Sequence, residues 1–306
     1  MGFKRSLLSL VAGIFLGACF VSGCNNFPYD KSMIKKQEIY FPKDYINKGI
    51  SLSSANQRLI EFPCKINGID RVEKYFIPDA KKCLVQLKQA HWIEGLSKEE
   101  LGYVKVVQDN VYESILDIHR SHNIRKIYHE GLTKATAPIF ELCADISYFL
   151  KNPEEIEKVE SRRIPKILID LEYLKKEQKD LFESYIWLEG RKKYDASYKL
   201  LTEGKDIEIC FSEDIKTLAD YKKFYDFYHK NLLNKVICEL TGAVNAHDNS
   251  REDSFLQIAA EEPEELLVFV YGLGHDFKDN IKKWNLEHPD KRFSFIEAYP
   301  KRLLLR

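Results

Sequence analysis

The stretch LLVFVYGLGHDF, residues 266–277, decides the fold class. Its first six residues are apolar without the spacing of a helix, which predicts a strand that is buried on both faces. Two glycines and His275 follow, and Asp276 then provides an N-cap for a helix that we expect to reach about Glu287. A fully buried strand that leads directly into a helix is typical of the parallel sheets of α/β proteins.

The rest of the chain repeats this alternation of short apolar runs and helical patterns. A capping box, Ser97 with Glu100, begins one helix and Asn123 ends it, so the flanking segments predict a βαβ unit with parallel strands. We therefore predict an α/β fold: a mostly parallel open sheet flanked by helices, with an inserted helical segment at about residues 138–203. The predicted strands are 82–88, 124–128, 206–211, 266–271 and 293–298.

Two more helices are predicted after the third strand. One covers residues 217–240 and is ended by Gly242, and a short one covers residues 250–260. Upstream, the proline-rich residues 24–80 predict a tether and an irregular arm. The α/β domain itself is expected to occupy residues 81–306.

Residues 1–23 have the pattern of a secretory signal, with a basic start and a short apolar stretch. The sequence VSGC, which ends at Cys24, resembles the lipobox of bacterial lipoproteins. That resemblance implies cleavage before Cys24 and lipid, such as palmitate, on its thiol. The domain would then be lipid-anchored in the bacterial cell envelope, on a membrane surface facing outside the cytoplasm. An uncleaved anchor, or an ordinary signal with a chance cysteine, is the alternative.

Charge is balanced along the chain, with 47 basic and 47 acidic residues and no basic cluster. Nucleic-acid binding needs clustered lysine and arginine, so we predict no nucleic-acid partner. The expected partners are the membrane, through Cys24, and a peptide or small-molecule substrate.

Polar side chains follow four of the five predicted strands. His91, Glu130, Glu213 and His275 come after the first to fourth strands in turn. Ligands of open parallel sheets bind at the carboxyl ends of the strands, so these side chains are expected to share a crevice. Imidazole and carboxylate together suit a divalent metal such as Zn²⁺ or Mn²⁺, or general acid–base chemistry without a metal. The glycines before His275 predict a sharp turn and room for a ligand.

These motifs resemble the Tiki/TraB/erythromycin-esterase-like superfamily, which includes ChaN-like haem-binding lipoproteins. The resemblance lies in IRKIYHEGL, LLTEGKDIEICFSED, NSREDSFLQIA and VYGLGHDF, and it spans residues 83–298 in order. The first Gly-x-x-His of the family falls on residues 88–91, where Lys88 stands in place of the glycine. The other family positions fall on Glu130, Arg251, Gly272 and His275.

The resemblance implies a hydrolase acting on a peptide or ester, with a metal or a water held by His91, His275 and either Glu130 or Glu213. Glu130 is the expected general base, and Arg251 is expected to stabilise an oxyanion or hold a substrate carboxylate. The alternative is a non-catalytic lipoprotein that binds haem or another small molecule.

In a haem-binding lipoprotein, Tyr128 or Tyr271 would join the residues that bind the ligand. A third alternative, a purely structural scaffold, would be indicated by a buried Lys88 paired with Glu130.

Each site residue also has a structural interpretation that the sequence leaves open. His275 could cap the following helix, and His91 could pack beside Trp92. Glu213 could be a surface residue before a helix, and Arg251 an exposed salt-bridge partner.

Overall fold

A computed structural model describes residues 52–91, 96–134, 137, 140, 194–214, 216–218, 220 and 237–303, with backbone only for 237–245 and 247. The helices are α1 (Ser54–Glu61), α2 (Lys98–His122), α3 (Ala196–Thr202), α4 (Ile237–Glu261) and α5 (Phe277–Glu287). The strands are β1 (Ile69–Tyr75), β2 (Lys82–Gln89), β3 (Lys126–Thr133), β4 (Glu208–Glu213), β5 (Leu266–Gly272) and β6 (Phe293–Pro300). A 3₁₀ turn, Pro289–Lys291, joins α5 to β6.

The six strands form one sheet in the order β1-β6-β2-β5-β3-β4. Every neighbouring pair is parallel except β1 with β6, which is antiparallel. The predicted mostly parallel α/β sheet is therefore confirmed. Strands β2 and β3 are parallel, as predicted, but β5 lies between them and pairs with both.

Helices cover both faces of the sheet, which explains why its central strands are apolar on both sides. On one face, Val85 and Val270 pack with Val111 of α2 and Leu59 of α1. On the other face, aromatic and aliphatic side chains pack beneath α4 and α5. That second layer contains Leu84, Phe255, Phe269, Phe277, Ile281 and Phe295.

The helix ends follow the predicted capping chemistry. Ser97 and Glu100 form the reciprocal capping box of α2, and Asn123 ends it in the left-handed conformation. Asp276 accepts a hydrogen bond from the Lys278 amide and begins α5, which ends at Glu287 as expected.

Two predicted boundaries are wrong. Helix α4 runs without interruption through Gly242, so residues 250–260 are its last turns and not a separate short helix. A glycine in a helix costs about 1 kcal/mol relative to alanine, which a 25-residue helix tolerates. The residues expected to form an irregular arm contain α1 and β1, because β1 completes the sheet beside β6.

Several predictions concern residues outside the described ranges. These are the signal and Cys24, the tether up to residue 51, most of the inserted segment and most of the helix predicted at 217–240. Helix α3 is the described carboxyl-terminal part of the predicted insertion. Within the described ranges, no helix is both long and apolar enough to cross a membrane.

Candidate functional site

Glu130 is the centre of a polar cluster at the carboxyl ends of the strands. Its Oε1 lies 2.9 Å from Arg251 Nη2 and 3.1 Å from His275 Nε2. Its Oε2 lies 2.7 Å from His91 Nε2, and it accepts the Gly272 amide at 2.6 Å. Both oxygens of this buried carboxylate are therefore fully engaged.

Ionisation of Glu130 follows from these neighbours. Burial alone would favour the neutral acid, but His91, His275 and Arg251 outweigh it and hold the pKa of Glu130 well below its usual range. A carboxylate that is ionised can only accept hydrogen bonds, so His91 must carry its proton on Nε2. In the neutral form of the ring, Nδ1 has a lone pair, and none of the described residues donates a hydrogen bond to it.

His91 is the exposed member of the cluster. About a third of its side chain is open to solvent, at 35%, whereas Glu130 is 7% and His275 6% exposed. A molecule arriving from solvent therefore meets the His91 imidazole first.

Two glycines make this arrangement possible, for different reasons. Gly131 has a φ of 75°, which favours glycine, and this irregularity in β3 lets its amide donate to Glu213 at 2.7 Å. Gly272 provides space instead, because a Cβ there would lie 2.6 Å from His91 Nε2.

Arg251 joins the two carboxylates. Its Nε and Nη2 bind the oxygens of Glu213 at 3.0 and 2.8 Å, in a fork that matches the carboxylate, and Nη2 also reaches Glu130. Glu213 is fully buried, and Arg251 is nearly so. The alternatives of a surface glutamate and an exposed arginine are therefore wrong.

His275 is held between two carboxylates. Its Nδ1 lies 3.0 Å from Glu252 Oε1, opposite the contact of Nε2 with Glu130. Burial would lower the pKa of His275, but the charges of Glu130 and Asp248 and its hydrogen bonds raise it to about 10. His275 is thus a buried imidazolium that donates from both nitrogens, and it does not cap the following helix, which Asp276 does.

Glu252 was not predicted, although the sequence contains a signal for it. Residues Phe255, Leu256 and Ala259 form the apolar stripe by which α4 packs on the sheet. Extending that stripe by one turn toward the amino terminus, at the same helical spacing, reaches 251 and 252, and a second turn reaches 248. The polar end of an otherwise apolar stripe therefore marks the residues that face the site.

Lys88 and Glu297 form a second buried pair beside the cluster. Lys88 Nζ lies 3.1 Å from Glu297 Oε1 and also donates to the His275 carbonyl. The last strand therefore also delivers a carboxylate, which the strand-end prediction missed because Glu297 lies inside β6. Lys88 is buried, but its partner is Glu297 and not Glu130, so the criterion set for a purely structural scaffold is not met.

The residues predicted to hold Zn²⁺ or Mn²⁺ are His91, Glu130, Glu213 and His275, and they do not converge on one point. Arg251 Nη2 lies between Glu130 and Glu213, within 2.9 Å and 2.8 Å of their Oε1 atoms, where a metal shared by them would have to sit. His275 donates from both nitrogens and presents no lone pair. Across the described ranges, no group of three potential ligands has an arrangement that could hold a metal ion.

Comparisons of this chain with family models, with curated proteins and with solved structures found no match. The resemblance to the Tiki/TraB/erythromycin-esterase-like superfamily therefore stays a prediction. The structure does bring its four side chains, His91, Glu130, Arg251 and His275, into one cluster.

Proposed function

We propose that this chain is a hydrolase-like domain of the cell envelope, anchored by lipid on Cys24, that acts on a small ester or peptide. The observation that carries the proposal is the pair of His91 Nε2 and Glu130 Oε2 at 2.7 Å, with the imidazole open to solvent. A histidine oriented by an ionised carboxylate is the arrangement that hydrolases use to activate a nucleophile.

In the proposed reaction, His91 and not Glu130 acts as the general base. Glu130 has no free lone pair directed at solvent and its pKa is well below neutral, so it is poorly suited to take a proton. The Nδ1 atom of His91 removes a proton from water while the water oxygen attacks the substrate carbonyl. His91 then returns that proton to the leaving oxygen or nitrogen as the acyl bond breaks.

Arg251 has a positioning role in this scheme. Its guanidinium is occupied by Glu213 and Glu130, and it is nearly buried. It therefore fixes Glu130, which in turn fixes His91, and the oxyanion contact expected for Arg251 has no part in this scheme. The proposed scheme uses no metal, because Arg251 Nη2 lies between Glu130 and Glu213 and both nitrogens of His275 contact carboxylates.

The haem-binding alternative has less support from the structure. Tyr128 and Tyr271 are almost fully buried, and the Tyr271 hydroxyl donates to Ser212 Oγ at 2.9 Å inside the domain. Neither hydroxyl is placed to meet an iron at the surface. His91 alone would remain as an exposed ligand.

Hydrolysis of a panel of nitrophenyl esters and dipeptide anilides by the purified protein, lacking residues 1–24, tests the proposal. His91→Gln is expected to lower kcat/KM by about 100- to 10,000-fold. His119→Gln is the matched control, because His119 is also partly buried but lies near the end of α2, which leads into the amino-terminal end of β3.

The proposal is contradicted if His91→Gln retains the activity of the parent protein. It is also contradicted if the parent protein hydrolyses none of the substrates. Addition of haem to the same samples separates the alternative function. A visible absorption band that depends on His91 would favour the haem-binding lipoprotein over the hydrolase.

A further inference from the structure

The turn that carries His275 is clamped by the end of β2. The Leu273 amide donates to the Gln89 carbonyl at 3.0 Å, and the His275 amide donates to the Gly272 carbonyl at 3.2 Å. The His275 carbonyl, on the far side of this turn, accepts from Lys88 Nζ and, at 3.4 Å, from Gln86 Nε2. The backbone of His275 is thus fixed by side chains of the neighbouring strand.

Burial of the Lys88 side chain at this position is energetically unfavourable by itself. Its side chain is only 5% exposed, and a buried ammonium destabilises a protein unless it is paired. Glu297 provides that pair at 3.1 Å, and Glu297 is itself held by Lys278 at 2.6 Å and by the Tyr299 hydroxyl at 3.2 Å. The Lys88–Glu297 pair thus directs one ammonium at one backbone carbonyl.

The periodicity of the strands explains why this pair lies beneath α4 and α5. Leu84, Gln86 and Lys88 alternate onto one face of β2, and Phe293, Phe295 and Glu297 alternate onto the same face of β6. Among the buried positions on this face, Leu84, Phe293 and Phe295 are apolar, and the charged residues Lys88 and Glu297 lie at the carboxyl ends of the two strands. The buried charges are therefore confined to the edge where the His275 turn crosses the sheet.

We propose that Lys88 is a positioning residue, which holds the His275 carbonyl so that the imidazole reaches both Glu130 and Glu252. Glu297 pairs with the Lys88 ammonium at 3.1 Å and aims it at that carbonyl. The proposal deepens the proposed function and rests on it for its catalytic consequence. Lys88, which stands in place of the glycine of the Gly-x-x-His pattern, is thus part of the site and compatible with its function.

Nitrogen-15 NMR of the imidazoles tests this without requiring a substrate. In the parent protein, the two N–H protons of His275 are expected as slowly exchanging downfield signals, because both are buried and bound to carboxylates. Lys88→Met removes the ammonium and keeps the length of the side chain, and we expect these two signals to be lost. Lys278→Met is the matched control, because it removes the other cation of Glu297 without touching the His275 carbonyl.

Lys88→Met alone leaves the buried Glu297 with one cation fewer and could impair folding. The double variant Lys88→Met with Glu297→Met removes both members of the pair and is the second test. It leaves no buried charge without a partner, since Lys278 also has Glu73 at 3.5 Å. We expect it to fold with a parent-like circular dichroism spectrum and to lack both His275 signals. Unchanged His275 signals in the double variant would overturn the proposal.

Failure of this proposal is distinguishable from failure of the proposed function. The NMR signals report the position of His275 in the free protein, whereas ester hydrolysis reports the action of His91. Loss of the signals in Lys88→Met together with an inactive parent protein would keep the positioning role and reject hydrolysis. If the parent is active, Lys88→Met is expected to lower kcat by at least tenfold, and Lys278→Met by less than twofold.

Discussion

Gly272→Ala is the substitution that tests most directly how the cluster is built. The added Cβ would lie 2.6 Å from His91 Nε2 and 2.9 Å from His91 Cδ2, both too close for contact. It would also lie 3.4 Å from Glu130 Oε2, which is ordinary contact for a carboxylate that is already held by Arg251. The residue that must move is therefore His91, the exposed member of the pair.

The expected loss of activity is large and the expected loss of stability is small. Displacing the general base from its carboxylate should lower kcat/KM by about 100- to 10,000-fold. That range corresponds to about 3–5 kcal/mol of transition-state stabilisation. The free energy of unfolding should change by no more than about 1 kcal/mol, because Glu130 keeps its contacts with Arg251, His275 and the Gly272 amide, and the partly exposed His91 can turn into solvent.

The assay compares Gly272→Ala with Gly274→Ala. A Cβ on Gly274 would have nothing within 4 Å, and neither glycine has a positive φ, so the two variants differ only in what the new methyl group meets. Urea unfolding of both proteins measures stability, and ester hydrolysis measures kcat/KM. Full activity in Gly272→Ala, or an equal loss in both variants, would refute the reasoning that His91 acts through its contact with Glu130.

Three further outcomes are expected. The pKa of His275 is raised from 6.5 to about 10 in the folded protein. Protonation of His275 therefore stabilises the folded state fully below about pH 6.5, and this stabilisation is lost as the pH rises through 10. Urea unfolding should show a fall of about 2–4 kcal/mol across that window, and His275→Gln should lack it. Arg251→Met leaves Glu130 and Glu213 buried without their cation and should lower the free energy of unfolding by about 3–5 kcal/mol, with only partial rescue by Arg251→Lys. Elemental analysis is expected to show less than stoichiometric Zn²⁺ and Mn²⁺, and chelation to leave hydrolysis unchanged; a stoichiometric metal that is lost in His91→Gln would contradict this.

The sequence predicted the parallel sheet and the four strand-end residues because both depend on local patterns. A fully apolar run such as 266–271 is compatible only with burial on both faces, and residues after parallel strands meet at one edge whatever the strand order. His91, Glu130, Glu213 and His275 therefore lie on that edge as expected.

The order of the strands and the pairing of the charges lay beyond the sequence. Nothing local shows that β5 inserts between β2 and β3, and that insertion is what brings the His275 turn beside Lys88. Glu297 was missed for a related reason, since a charge inside a strand is informative only when its cross-strand neighbour is known. Glu130 was expected to be the general base, whereas the proposed scheme makes it the carboxylate that orients His91. The sequence could not show this, because the pKa of Glu130 depends on three partners from separate elements.

The balance of charges around Glu130 gives a physical reason for His91 to act as the base. Arg251 and the imidazolium of His275 are set against the carboxylates of Glu130, Glu213 and Asp248, so the cations in the cluster do not outnumber the anions. Burial raises the pKa of Glu252, and its ionisation would add a further negative charge to the cluster. A proton that His91 takes from water therefore arrives beside an ionised carboxylate in a cluster with no surplus of positive charge. The imidazolium formed in the reaction is stabilised by the same contact that orients the neutral ring, and the cluster is organised before substrate binds.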